Sequence, residues 1–244
     1  MHPSHCVLRN KAGITDHDQL DEYEGDFTAI RLLELTQNPV EGAFDLAHLC
    51  QIHQYLFQDV YEWAGEVRTV DIIRGENRFC NVRHIQSYSN TVFSTLAAEM
   101  YLANLEPKIF ANRLAHYLSA INAIHPFREG NGRVQRLFNS QLAEHASYSL
   151  DYSALDQAEV YPVMQESFLG NVKPLADLIL KIIDLAHNQA VVHVFLILGI
   201  TMSLNNYLSS GDNSNCYSKA FCSIAVYRVE HRWHQALVWH CFCC

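Results

Sequence analysis

The sequence predicts a mostly α-helical domain that carries one short β-hairpin. Apolar residues recur at helical spacing in stretch after stretch, as in Phe110, Leu114, Tyr117, Leu118, Ile121 and Ile124, which puts them on one helical face. One segment, residues 66–73, instead alternates Val67, Thr69, Asp71 and Ile73 with Arg68, Val70 and Ile72, and is rich in β-branched residues. With 244 residues, 49% of them hydrophobic and 18% charged, the chain can bury one sizeable core and still carry an extension.

Residues 1–14 form a polar lead-in. Thr15 or Asp16 can cap a first helix that starts in the acidic run Asp18 to Glu24, where carboxylates suit the positive end of the dipole. It continues through Ile30, Leu33 and Leu35 until Asn38-Pro39 breaks it. Asp45 caps a second helix whose buried stripe is Leu49, Ile52, His53, Leu56 and Phe57. A histidine in such a stripe reads as a hydrogen-bonded core residue rather than a ligand. The hairpin follows, its strands 66–73 and 78–80 joined by the turn Arg74-Gly-Glu-Asn77. Asn90 can cap a helix bearing Val92, Phe93, Leu96 and Met100, and Pro107 separates it from the helix that runs into His125. Val134, Leu137, Phe138 and Leu142 predict a helix from about Arg133. Asp151-Tyr-Ser153 opens another segment, with Pro162 inside it and Gly170 at its end. Leu175, Leu178, Ile179, Ile182 and Ile183 predict a last amphipathic helix from about Pro174 to His187.

The expected domain is residues 1–187, and 188–244 is an extension of unassigned fold and role. Charge nearly vanishes there, and residues 191–200 are apolar except for His193. That run is shorter than the ~18–20 residues needed to span a bilayer, so a buried helix or strand is preferred over membrane association. His231, His234, His240 and Cys241 are zinc-ligand types, but their spacing matches no standard finger, and no zinc site is assigned. A net charge of −9 argues against a nucleic-acid partner. No N-terminal apolar run with a basic flank is visible, so a cytoplasmic protein is expected, with its eight cysteines as free thiols.

Chemistry concentrates in His125-Pro-Phe-Arg-Glu-Gly-Asn-Gly-Arg-Val-Gln-Arg136. Pro126 argues against His125 continuing the helix, and a new helix begins a few residues later, so the segment is a tight loop ending at a helix N-terminus. Gly130 and Gly132 permit positive φ and close approach of a ligand. Free N–H groups and the dipole favour an anion there, most naturally phosphate. Arg133 and Arg136, three apart, share a face of the first turn. Two guanidiniums there oppose the dipole, which a polyphosphate would offset. Asn131 can donate to a phosphate oxygen. Glu129 suits Mg²⁺, which takes one or two carboxylates and completes its shell with phosphate and water. His125 is the residue in this stretch suited to accept a proton at neutral pH, and Phe127 is expected to pin the loop to the core.

This segment resembles the signature of the Fic family, His-x-Phe-x-(Asp/Glu)-Gly-Asn-Gly-Arg-x-x-Arg, at every fixed position. The flanks at residues 8–16, 44–65 and 167–170 also look like bacterial Fic proteins. The resemblance implies a Fic-type helical bundle with a hairpin flap, and Mg²⁺-dependent transfer of AMP from ATP to a Tyr, Ser or Thr hydroxyl of a target protein. It implies that His125 is the general base, that Glu129 holds Mg²⁺, and that Asn131 with the Gly130 and Gly132 amides forms the anion hole. It also implies that Arg133 and Arg136 orient the β- and γ-phosphates. Ile72, Ile73, Arg74, Gly75, Glu76, Asn77, Arg78 and Phe79 would form the flap that holds the target segment by strand pairing. Gly132 leaves room for a β-phosphate, which favours nucleoside-monophosphate transfer. Transfer of UMP, phosphate or phosphocholine, and an inactive interaction module, are the alternatives. Many members carry an inhibitory (Ser/Thr)-x-x-x-Glu-(Gly/Asn) helix. Here Glu24-Gly25 has Leu20, and Glu76-Asn77 has Ile72, where Ser or Thr should stand. Inhibition is therefore expected from a separate small antitoxin-like protein. Relatives act in their own bacterial cytosol or, after secretion, in a host cell.

Overall fold

The computed structural model describes residues 7–75 and 77–185. The expected extension, with its apolar run and its His/Cys cluster, lies outside the described residues. Seven helices are present among those described: α1 (His17–Gln37), α2 (Leu46–Phe57), α3 (Ile85–Ala98), α4 (Pro107–Ile124), α5 (Asn131–His145), α6 (Gln157–Phe168) and α7 (Lys173–Ile182). Two small antiparallel or paired elements accompany them, β1 (Ile73–Arg74) with β2 (Asn77–Arg78), and β3 (Tyr148–Leu150) with β4 (Ile183–Leu185).

The centre of the core is the pair α4 and α5. Phe110, Leu114, Ile121, Val134, Phe138 and Leu142 have no exposed surface, and α7 packs along α4 while α2 packs on α5. Two of the three predicted caps form: Asp16, rather than Thr15, accepts from the Gln19 N–H at 3.0 Å and Asp45 from the His48 N–H at 2.8 Å. Pro107 takes the first position of α4, where its missing N–H costs nothing. The inward face of α1 is unusual, because it carries Glu24 and Thr28 beside Leu20 and Leu35. Ile30 and Leu33 point outward. A helix that turns a carboxylate and a hydroxyl inward needs a polar partner, and α5 supplies one.

Four boundaries differ from the sequence reading, each for a physical reason. The hairpin strands are two residues each rather than spanning 66–73 and 78–80. Beyond them the flanks meet once, through the Phe79 N–H and the Ile72 carbonyl at 3.3 Å; further out Arg68 donates its backbone N–H to the Pro126 carbonyl at 2.8 Å and Cys80 donates to Ala123 at 2.9 Å, so the outer flanks are bonded to the end of α4 and the residues after it. Helix α3 begins at Ile85, and Asn90 is interior. Its buried stripe, Ile85, Ser89, Val92, Phe93 and Leu96, starts a turn and a half before Asn90. Met100 lies beyond α3 in a separate short turn and is exposed. Helix α5 begins at Asn131, because Gly130 in left-handed geometry serves as its N-cap. Helix α7 stops at Ile182, where β-branched residues pass into β4.

Asp45→Ala is expected to lower stability by about 1 kcal/mol through the lost N-cap, read as a shift of the urea midpoint with an unchanged slope.

Candidate active site

The motif folds as a reversal between two core helices. His125 ends α4 in left-handed geometry, φ 48° and ψ 62°, with its N–H still bonded to the Ile121 carbonyl at 3.0 Å. Phe127 is fully buried and stacks on the His53 ring with centroids 4.1 Å apart. The Asn131 side chain ties the loop shut. Its Oδ1 accepts from the Phe127 N–H at 2.9 Å and its Nδ2 donates to the Phe127 carbonyl at 2.8 Å. Asn131 is 1% exposed, and its side chain is a brace for the loop; what it offers at the start of α5 is its backbone N–H. Gly130 has φ +77°, and a Cβ there would lie 2.2 Å from the Phe57 ring. Gly132 is not a positive-φ residue; it sits in the first turn of α5. The first helical bond is from the Val134 N–H to the Gly130 carbonyl at 3.1 Å. The N–H groups of Asn131, Gly132 and Arg133 thus have no helical acceptor, an arrangement that favours an anion.

His53 supports this loop from below. The Gly65 N–H donates to its Nδ1 at 2.7 Å, which fixes the proton on Nε2, and Nε2 bonds the Glu129 carbonyl at 3.2 Å. Burial pushes its pKa down to about 3, against the pull of that carbonyl and with help from Arg133. The residue is a satisfied, neutral core histidine, as its place in the α2 stripe predicts.

The charges around the loop are arranged in pairs. The Glu129 carboxylate accepts from the Gly130 N–H at 2.8 Å and from Arg74 Nη2 at 3.2 Å, with Arg133 at 4.0 Å. Among the described residues no group of three or more His, Cys, Asp or Glu side chains is placed to hold a metal. A single carboxylate at a phosphate site fits Mg²⁺, which draws its other ligands from phosphate and water. The guanidinium on Glu129 also shows that the carboxylate already attracts a cation. Arg133 lies over the Phe57 ring at 4.7 Å, bonds Thr28 Oγ1 at 3.2 Å and pairs with buried Glu24. Tyr61 donates to the same carboxylate, and burial followed by that negative charge pushes its pKa up. The unfavourable placement of Arg133 against the dipole is thus offset within the chain. Arg136 has different surroundings. With Gly132 and Tyr152 it lines a largely apolar cavity of about 60 Å³ between α4, α5, α6 and α7.

The hairpin covers the histidine. Phe79 is buried and stacks on the His125 ring, centroids 3.8 Å apart and planes 16° apart. Ile72 is buried, whereas Ile73 and Arg78 are exposed. Gly75 takes φ +57° at the turn, and Asn77 Nδ2 donates to Gln165 Oε1 on α6 at 2.6 Å. Glu76 lies outside the described residues. His125 has no exposed surface, and neither ring nitrogen has a hydrogen bond of ordinary geometry. Burial pushes its pKa down to about 3, aided by Arg74 and more weakly by Arg68, against the Asn122 carbonyl.

Several residues joined to this site carried no readable signal. Arg68 looks like an outward position of an alternating strand, yet its guanidinium is fully buried. Glu24 stood out only as half of a failed pattern, and nothing in the sequence pairs it with Arg133. Cys50 and Cys80 are free thiols, as expected. No described helix is long and apolar enough to cross a membrane.

The Fic/DOC family model matches residues 43–143. The chain is 43% identical over 176 residues to the probable protein adenylyltransferase y4lH of Sinorhizobium fredii, covering 72% of this chain and 90% of that protein. It is 40% identical over 177 residues to the protein adenylyltransferase VbhT of Bartonella schoenbuchensis, but spans 37% of that longer protein. Among solved structures it resembles BepC of Bartonella tribocorum with bound AMPPNP, at TM-score 0.69 and 28% identity, covering 75% of this chain and 95% of that one. It likewise resembles the ADP-bound Fic domain of a Bartonella quintana effector, at TM-score 0.70 and 28% identity, covering 78% and 96%.

Two deeply neutral histidines give the fold a defined acid sensitivity. Below about pH 6.5 the unfolded chain binds protons that native His53 and His125 refuse, so stability falls as the pH drops towards 3. Each contributes a slope of up to ~1.4 kcal/mol per pH unit; His116, also lowered, acts in the same direction. Urea unfolding between pH 7 and 5 is expected to show this loss. In the same window His53→Gln should remove the His53 share, up to ~1.4 kcal/mol per pH unit.

Proposed function

The chain belongs to the Fic/DOC family, and from that premise we propose that it is a protein adenylyltransferase moving AMP from ATP to the hydroxyl of a Tyr, Ser or Thr side chain. The observation that carries this reading is the complete motif folded into a loop on a helix N-terminus, with a neutral imidazole beside it. The unbonded N–H groups at the start of α5 receive the phosphates, and Arg136 with Arg133 adds charge-assisted donors to their β- and γ-groups. Arg133 must then exchange Glu24 for phosphate, in part or wholly. Glu129 would hold Mg²⁺, which when bound neutralises phosphate charge. A nitrogen of His125 takes the proton of the target hydroxyl as its oxygen forms a bond to the α-phosphorus; the bond from that phosphorus to the β-phosphate oxygen breaks, and pyrophosphate leaves. Phe79 has to move off the imidazole before a hydroxyl can reach it, which makes the hairpin the door through which the target enters. The very short hairpin, on which Ile73 and Arg78 are exposed, offers backbone suited to pairing with an extended segment. The proposal includes action in the bacterial cytoplasm, or in a host cell after secretion, and restraint by a separate small inhibitor protein. A pull-down from the native cell that finds no such protein, with freely active enzyme, would remove the last element.

Labelled ATP tests the reading directly. An α-phosphate label on protein is expected; a γ-phosphate label would indicate phosphorylation instead, and no label an inactive module. His125→Ala should abolish transfer and leave ATP affinity within about twofold, because only the proton acceptor is lost. Arg136→Ala should weaken ATP binding by about 1.5–3 kcal/mol, roughly ten- to hundredfold, measured by calorimetry.

A further inference from the structure

Arg68 is a buried cation with no buried carboxylate to answer it. Its side chain has no exposed surface, and its nearest acid, Asp71, lies 3.8 Å away and is 41% exposed. Asp71 is itself occupied by Asn81 Nδ2 at 2.7 Å and the Val82 N–H at 2.8 Å. The guanidinium is satisfied by main-chain carbonyls. Nε donates to His125 at 2.8 Å, Nη2 to Ile124 at 3.3 Å and to Cys80, and Nη1 to Val70 at 2.7 Å. Two of these acceptors are the last carbonyls of α4, where the helix dipole favours a cation. The other two flank the hairpin on either side. Burying a charge this way is costly, and among the described residues Arg68 is the one buried arginine or lysine, at the junction of His125 and the flap.

The junction needs an external hold. His125 is a non-glycine residue in left-handed geometry, a conformation that persists only when the surroundings over-determine it. Its carbonyl is fixed by Arg68 Nε, and the next carbonyl, of Pro126, is fixed by the Arg68 N–H at 2.8 Å. A single residue therefore grips both sides of the turn that aims the imidazole, and through Val70 and Cys80 it grips the base of the hairpin that carries Phe79.

We propose that Arg68 is a positioning residue for group transfer: its guanidinium locks the left-handed turn at His125 and sets the spacing between the imidazole and the flap. This rests on the adenylyl-transfer reading above. Arg68 touches neither nucleotide nor target in this role, so its loss acts on the chemical step and on flap order, while the anion site on α5 stays intact.

The test uses the full chain with Arg68→Lys and Arg68→Gln. Lysine keeps the charge but offers its donors from one point, so it cannot span four carbonyls as the planar fork does. Both variants are expected to lose roughly a hundredfold in kcat with ATP Kd within about twofold of the parent, and the Cys80 amide should exchange with deuterium about tenfold faster. A lysine variant with kcat within about threefold of the parent would overturn the proposal, since charge alone would then suffice. A fall in ATP affinity parallel to kcat would overturn it too, because Arg68 would then be general scaffolding. If the parent chain transfers no label, the enzymatic reading fails, and the exchange arm still decides the clamp: faster exchange at Cys80 supports it and unchanged exchange refutes it.

Discussion

The constraint on which the rest depends is the reversal between α4 and α5. Ile124 and Asn131 are both buried, so two core helices must be joined by the six residues 125–130 without exposing either end. The chain does this with one left-handed residue at each side of the turn, His125 and Gly130. Phe127 between them is driven into the core, and Asn131 closes the loop on Phe127 with two hydrogen bonds. The negative end of one helix and the positive end of the next are thereby brought together. Arg68 answers the first end with a cation, and the second is left open to an anion. The polarity of the proposed site is a consequence of how the backbone turns.

Around that reversal three arginines have resident partners in the absence of substrate. Arg133 has Glu24 and Thr28, Arg74 has Glu129, and Arg68 has four carbonyls. A site proposed to receive a nucleotide's phosphates would otherwise hold unpaired charges in a protected place, which is expensive. Substrate binding on this account is an exchange of partners, so affinity reflects the difference between incoming and resident contacts rather than the incoming contacts alone. On that reading Glu24 and Arg74 belong to the proposed nucleotide site along with the residues of the motif itself.

The helices were largely legible because their apolar stripes are regular and their caps, Asp16 and Asp45, stand where capping chemistry needs them. The motif loop was legible because Pro126 and Gly130 are local backbone signals. What could not be read depends on contacts far apart in the chain. Glu24 meets Arg133 across 109 residues, and Arg68 meets His125 across 57. No periodicity encodes such pairs. The hairpin was overextended for the same reason: alternation at 67–73 says that side chains point to two sides, but not that the backbone at Arg68 is bonded to Pro126 rather than to a sister strand. Asn131 shows the opposite error, a polar residue read as facing a ligand when its side chain braces the loop.

The covered histidine links access to chemistry. Under Phe79 the imidazole is held neutral, with its pKa near 3, so it never loses its acceptor form, yet a base that weak would accept a proton poorly. On the proposed reading, moving the flap would expose the ring to water and take Arg74 with it, removing the two largest causes of the depression. The pKa would then rise towards the ordinary imidazole value near 6.5, where proton acceptance at neutral pH is efficient. The motion proposed to admit a target hydroxyl would thus also strengthen the proposed base. Arg68, anchored to the backbone below both, lets the flap tip move while the turn that aims His125 stays fixed.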